Sequence, residues 1–220
     1  LVAARVHTAG GIVCCDGNTS IDGVPETAAR MDLQFMDVVG SVTGHLLPTG
    51  NLRDYFDDVA VTCMDVAMPI VIARADAFGW AGYETVEQLE SNIDFMARMQ
   101  AIRLAAGAAM GMGDVSRSVT PKFALFAPAV SGGTIAARYF MPWQAHPSMA
   151  VTGAQCLASC AVLPGSIAEG LLVRPTTSPA TITIEHPSGM IDVIVDYAHD
   201  DQSDGMGNFE GFVLRSAGLV

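Results

Sequence analysis

Ala145–Cys156 reads AHPSMAVTGAQC and runs on through LASCAVL to Leu163, where Pro164-Gly165 stops it. From Val151 onward the residues are small or apolar, none is charged, and Thr152-Gly153-Ala154 opens the run. This pattern predicts a helix over Val151–Leu163, capped by Thr152 or its neighbour. Two readings of its start stand side by side. In one, the free first-turn N–H groups of Thr152, Gly153 and Ala154 sit at the positive end of the helix dipole and bind a carboxylate without any lysine. His146, just upstream, then reaches the same anion or shuttles a proton. In the other, the stretch is a capped, buried helix beside an ordinary loop histidine.

Working outward, Leu1–His7, Ile12–Cys15 and Met31–Phe35 read as strands, with turn-rich Asp16–Arg30 between them. Gly40–Asn51, GSVTGHLLPTGN, is too rich in Gly and Thr for a helix and reads as a crossover between two units. Val59–Asp65 and Ile70–Arg74 read as strands flanking Pro69. Thr85 and Gln88 form a capping box, and 3.6-residue periodicity from Val86 predicts one long helix to about Ala109. Lys122–Phe126, Thr134–Phe140, Leu171–Arg174, Ala180–Glu185, Met190–Tyr197 and Gly211–Arg215 are further strands. The expected class is α+β, mostly antiparallel.

The 220 residues carry a formal charge of −12 with Lys122 as the sole lysine, so no basic stripe exists to neutralise nucleic-acid phosphates. No apolar run approaches the ~20 residues that span a bilayer. Five cysteines without zinc spacing favour free thiols in a reducing compartment, with the cytoplasm as the expected location. No signal-peptide pattern opens the chain, which starts without Met in an apparent strand, so upstream sequence is expected.

Other segments invite chemistry. Ile184–Met190 holds a His-Pro-Ser-Gly turn in which Ser188 and the Gly189 N–H suit an anion, although a plain hairpin reads the same. Ser41 and Thr43 in the crossover offer hydroxyls beside His45. Arg138 and Lys122 are the cations expected to assist. Cys156 near a helix start could be an activated thiol, but Cys160 on the same face favours packing. Asp200, Asp201 and Asp204 fit no EF-hand loop, and no metal is expected.

The ordered series SIDGVPETAA (20–29), GSVTGHLLPTGN (40–51), DVAMPIVIARAD (65–76), IRLAAGAAMGMG (102–113), PKFALFAP (121–128), AHPSMAVTGAQC (145–156) and IEHPSGMIDV (184–193) resembles the family of 2-methylaconitate cis-trans isomerases, 4-oxalomesaconate tautomerases and aconitate isomerases. The resemblance implies a diaminopimelate-epimerase-like fold, in which two similar units each wrap sheet around a central helix and the site lies between them. Residues 1–45 would be the end of a first, partial unit, 46–208 a complete second unit, and 209–220 a strand returning to the first. It further implies a cofactor-independent proton shift across an allylic system in a small unsaturated di- or tricarboxylate. His146 would be the catalytic candidate here. Thr152, Gly153, Ala154, Ser188, Gly189, Arg138, Ser41 and Thr43 would bind substrate. The only partner beyond substrate would be a second copy in a homodimer.

Three departures qualify this. The family is longer, and its Asn-Cys-Gly-Asn-like motif and a lysine proposed as catalytic would lie upstream. His45 stands where the family pattern has lysine, and Met68 where it has asparagine. Ala150-Val151 replaces the cysteine of the epimerases, which argues against a two-cysteine mechanism. The rival expectation is a truncated or diverged half that binds anions or a partner chain without turnover.

Overall fold

The computed structural model describes residues 2–199, 208–209 and 212–219. The chain begins with β1 (Val2–Val6), β2 (Thr8–Ala9), β3 (Ile12–Val13), β4 (Met31–Met36), β5 (Asp54–Phe56), β6 (Val59–Val66) and β7 (Met68–Arg74). Helices α1 (Val86–Ser91) and α2 (Ile93–Ala109) follow, then β8 (Lys122–Ala127), β9 (Ile135–Met141) and β10 (Gln144–Ala145). After α3 (Val151–Val162) come β11 (Ala180–His186), β12 (Gly189–His199), β13 (Asn208–Phe209) and β14 (Phe212–Leu219).

One sheet runs in the order β1-β4-β14-β12-β11-β9-β8-β7-β6-β5, with β10 beside β9 and β13 beside β14. Its pairs are antiparallel except β7–β8 and β9–β11. The sheet curls around α3, which packs on β6, β7, β11, β12 and β14. This is the mostly antiparallel sheet around a central helix that the sequence leads one to expect.

The curl follows from side-chain alternation. In β6–β9 one set of residues, including Met64, Ile70, Ile72, Phe126, Ala137 and Tyr139, faces α3. The intervening set, including Val61, Cys63, Val71, Phe123, Leu125 and Phe140, faces α2 and its aromatic neighbours. Burial on both faces explains why these strands read as unbroken apolar runs. Strands β11 and β12 bury Ile182, Ile184, Val193 and Val195 on the α3 side and leave Thr181 and Ile194 exposed on the other.

Helix α3 fits because its side chains are small. A Cβ on Gly153 would lie 2.6 Å from Cε2 of Tyr139, so helix and β9 approach closely only with glycine there. Every residue from Gly153 to Val162 is buried. At the far end, Ser166 Oγ donates to Cys160 O at 2.8 Å, which satisfies a last-turn carbonyl.

The structure corrects the sequence reading at three places. The single helix expected after Thr85 is two. The capping box forms as expected, but Asn92 leaves the helical region and its side chain accepts from Phe95 N at 2.9 Å, starting α2 anew. Pro69 lies inside β7, paired with Asp65, and the hairpin turns at Ala67 instead. Leu171–Arg174 forms no strand: turns around Ser166–Leu171 fold it back under α3, Val173 is 94% exposed, and Arg174 pairs with Glu169. The expected strand Gly211–Arg215 begins at Phe212 within β14, and Gly211 lies outside the described residues.

Arg103 on α2 is fully buried and has no acidic partner among the described residues. It donates to Gln100 Oε1 and to the carbonyls of Val115, Ser118 and Pro121, which tie the 114–121 loop to the helix.

Leu157, fully buried against the sheet, provides a test of this packing. Leu157→Ala should cost about 2–5 kcal/mol, read by urea unfolding as a lower midpoint with unchanged slope.

Candidate functional site

The start of α3 is bare. Its cap residue is Ala150, extended at φ −76° and ψ 137°, and it makes no side-chain cap bond. Thr152, expected as a cap, instead sits within the first turn. The earliest intrahelical bond runs from Ala154 N to Ala150 O at 2.8 Å. The N–H groups of Val151, Thr152 and Gly153 therefore have no helical acceptor, and they mark the positive end of the dipole. Val151 is exposed and Thr152 half-buried, so this end is open to a ligand.

His146 stands beside it, its main-chain N–H on Tyr139 O at 2.7 Å and its ring edge-on to Tyr139. The Ser148 N–H donates to His146 Nδ1 at 3.0 Å. An N–H can only donate, so Nδ1 is the acceptor and the neutral ring carries its proton on Nε2. The His186-Pro187-Ser188 turn repeats this arrangement, with Ser188 N donating to His186 Nδ1 at 3.2 Å. The two His-Pro-Ser turns touch, since Ser188 Oγ donates to Pro147 O.

A third segment enters from the turn-rich stretch before β4. Asp22 Oδ2 accepts from Met190 N at 2.7 Å. Gly189, at φ +136°, leaves no room for a Cβ because the Asp22 carboxylate lies there. Gly23 abuts Ser188 and Ser148, where a Cβ would be 3.0 Å from Ser188 Cβ and 3.7 Å from Ser148 Oγ. The His-Pro-Ser-Gly turn, expected to hold a substrate carboxylate, thus already faces one belonging to the protein. Ser188 has spent its hydroxyl proton on Pro147, so its expected role as donor is corrected.

Other expected residues stand apart from α3. Ser41 Oγ and Thr43 Oγ1 both donate to the Asp65 carboxylate, at 2.7 and 2.9 Å, and the N–H groups of Val42 and Thr43 join them. Asp65 is fully buried, and its four donors fix the Gly40–His45 loop, so these hydroxyls serve the loop and not a ligand. Arg138 projects from the face of β9 opposite Tyr139. It donates to Glu84 O and Ala137 O and lies over the Tyr83 ring at 5.5 Å. The same outer face holds Glu185, whose carboxylate accepts from Val130 N, Ser131 N, Gly133 N and the Tyr83 hydroxyl. Burial pushes this carboxyl upward, but its four donors prevail and leave it below its ordinary value. Lys122, at the start of β8, lies near Arg103; burial, and then that neighbouring charge, lower its pKa.

Cys156 is wholly buried, its Sγ 3.7 Å from Met64 O, and burial raises the thiol well above its ordinary value. It is packing, as the pairing with Cys160 suggested. Among the described residues no three His, Cys, Asp or Glu side chains converge as metal ligands. Asp200, Asp201 and Asp204 lie outside the described residues.

The sequence profile described as PrpF protein matches residues 1–217. The chain belongs to the PrpF protein family. Across all 220 residues it is 41% identical to a 4-oxalomesaconate tautomerase of Pseudomonas putida, covering 58% of that relative. It is 46% identical over 192 residues to YbhH of Escherichia coli (strain K12), covering 87% of this chain and 54% of that one. The crystal structure of a methylitaconate-delta-isomerase superposes with a TM-score of 0.82 at 28% identity, covering all of this chain and 61% of that one. This PrpF-family chain thus spans little more than half the length of the curated relatives it matches.

In this member of the PrpF family, sequence reading missed Asp22, Gly23, Asp65, Ser148 and His186. The repeated tripeptide His-Pro-Ser, once before α3 and once before β12, was the signal that could have found two of them. Asp22, Gly23 and Asp65 carry no such signal, because their partners lie far away in sequence.

Burial holds His186 below its ordinary value of 6.5, with the charges of Arg138 and His146 adding to the effect and Asp22 and the Met190 backbone opposing it. Between the folded value and 6.5 the unfolded chain binds more protons, so stability rises with pH there. The chain should lose stability as pH falls from about 7 towards 5. His186→Gln should flatten that slope in urea midpoints taken across the range, and an unchanged slope would assign the effect elsewhere.

Proposed function

We propose that the protein shifts a proton across the allylic system of a small unsaturated di- or tricarboxylate of the aconitate, methylaconitate or oxalomesaconate type, without a cofactor. The observation that carries this reading is the uncapped start of α3, with Thr152 in its first turn and His146 packed on Tyr139, the ring that Gly153 also meets. Such an end binds a carboxylate through fixed dipoles, and it stabilises the negative charge that grows on the delocalised anion once carbon loses its proton. The relatives' names, a 4-oxalomesaconate tautomerase and a 3-methylitaconate isomerase of Eubacterium barkeri among them, fit a ligand of this charge.

Within this reading the N–H groups of Thr152 and Gly153 hold one substrate carboxylate, and the hydroxyls of Ser148 and Thr152 flank it. The Nε2–H of His146 donates to the same group or returns the proton at the end of the shift. The group that takes the proton from carbon belongs to the rest of the protein. Residues 1–45 and 209–220 would form part of a first unit, and 46–208 the second. Placement of β14 between β4 and β12 supports a strand shared by the two. Five free thiols fit a reducing cytoplasm, and among the described residues no helix is long and apolar enough to cross a membrane.

The competing reading, a diverged half that binds anions without turnover, draws on Met68, which packs against the core instead of presenting an amide. The two separate in one experiment. The full-length protein in deuterium oxide should exchange solvent deuterium into 4-oxalomesaconate, 2-methylaconitate or trans-aconitate, followed by proton NMR. No exchange into any of the three would sink the enzymatic reading. His146→Ala should lower kcat/KM by about a hundredfold or more, and an unchanged value would remove His146 from the site.

A further inference from the structure

We propose that Asp22-Gly23 is the positioning element of the site: a carboxylate of the chain itself and a side-chain-free spacer that together hold the two His-Pro-Ser turns in register. The proposal rests on the functional reading above for its kinetic consequence, but not for its geometry.

The dipeptide has two separate contacts. Asp22 takes the Met190 N–H at 2.7 Å, immediately after the Gly189 turn residue. Gly23 sits at φ +84°, which a side chain would strain, and it abuts both turns: a Cβ would crowd Ser188 Cβ at 3.0 Å and touch Ser148 Oγ at 3.7 Å. The turns are also tied to each other, by Ser188 Oγ on Pro147 O. In each, the serine N–H fixes its own histidine ring through Nδ1. A displacement of Ser188 or Ser148 therefore moves His186 or His146, and His146 leads directly into α3.

The segment that delivers the dipeptide is itself closed. Thr19 and Ala28 exchange two backbone hydrogen bonds, each 3.1 Å, and Val24 N closes a turn on Ile21 O at 3.0 Å. A preformed loop gives up little chain entropy when it seats, so the single charged hydrogen bond at Asp22 is well spent. The anion-recognising shape of His186–Gly189 is thereby used inside the protein. It orients the neighbouring turn, while α3 is left to bind the ligand. Asp22 is a positioning residue, acting through the His186–Gly189 turn and touching no substrate.

Two variants of the full-length protein test this. Asp22→Ala removes the acceptor, and Asp22→Asn keeps an oxygen at the same place without the charge. In hydrogen–deuterium exchange followed by mass spectrometry, Asp22→Ala should speed exchange of the peptide covering 186–192 by about tenfold. Peptides from α3 should stay unchanged, and Asp22→Asn should restore most of the protection. With whichever of the three acids is turned over, Asp22→Ala should raise KM by about tenfold with kcat changed less than about threefold, and Asp22→Asn should recover much of the loss.

If wild type turns over none of them, the functional reading fails. Binding of trans-aconitate by calorimetry then takes the place of KM, with the same order of variants expected. Unchanged exchange at 186–192 in Asp22→Ala overturns the proposal. So do a loss confined to kcat and an Asn variant as impaired as Ala in both measurements.

Discussion

Helix α3 has no charged residue and, past its first two positions, is buried throughout. A segment so placed must satisfy its polar groups locally, and its two ends differ in how far they do so. Ser159 Oγ bonds back to Gln155 O and Ser166 Oγ closes on Cys160 O, so the far end is sealed. The near end is left unsealed, with alanine as its cap. The Gln155 amide is the internal exception, both its atoms buried without a hydrogen-bond partner. An unsatisfied group of that kind costs about 1–3 kcal/mol, which the surrounding apolar packing outweighs. The curvature of the sheet, the glycine opposite Tyr139 and the double-faced strands β6–β9 all follow from enclosing this one helix.

The same enclosure resolves a conflict of charge. A protein at −12 repels polycarboxylates at long range, and the arginine that the structure places against α3, Arg53, sits at its far end, on Gly165 O and Ser166 O. Arg138 and Lys122 lie apart from its open end, and the four ion pairs among the described residues join neighbouring surface segments. In the proposed function, attraction comes from dipoles that act only within a few ångströms. Helix N–H groups do this well where low-dielectric walls limit screening. On that reading the far field discourages anions in general, and the near field accepts one that fits.

Much of this was legible in the sequence, for physical reasons that differ by element. The capping box at Thr85, the alternating strands β11 and β12 and the small-residue helix announce themselves locally, because the interactions that form them span a few residues. The boundary at Asn92 was hidden by apolar periodicity that continues through it, although its cap chemistry lay in plain view. Leu171–Arg174 looked like a strand from β-branched and apolar content, but it lacked a neighbour to pair with, and propensity without a partner makes no strand. At the site, the start of α3 at Val151 could be read directly, but its cap could not, since Thr152 was expected there and Ala150 takes the place. The fates of Ser41, Thr43 and Ser188 could not. Each is a polar side chain in a Gly-rich turn, and whether its proton goes to ligand or protein depends on an acceptor remote in the chain. Asp65 is 22 residues from Thr43, Pro147 is 41 from Ser188, and Asp22 is 168 from Met190.

Arg103 has a consequence of a different kind. Three of its four acceptors are main-chain carbonyls, which every residue supplies regardless of side chain. The bonds themselves therefore place no demand on which side chains the loop carries, although Val115 is also buried against Gly107, whereas the arginine supplies every donor. Because no carboxylate answers it, neither acid nor salt in the medium loosens the attachment through a partner's charge. The layer that backs the sheet is thus anchored by an interaction indifferent to the two things that vary most around a protein, its neighbours' identities and its solvent's composition.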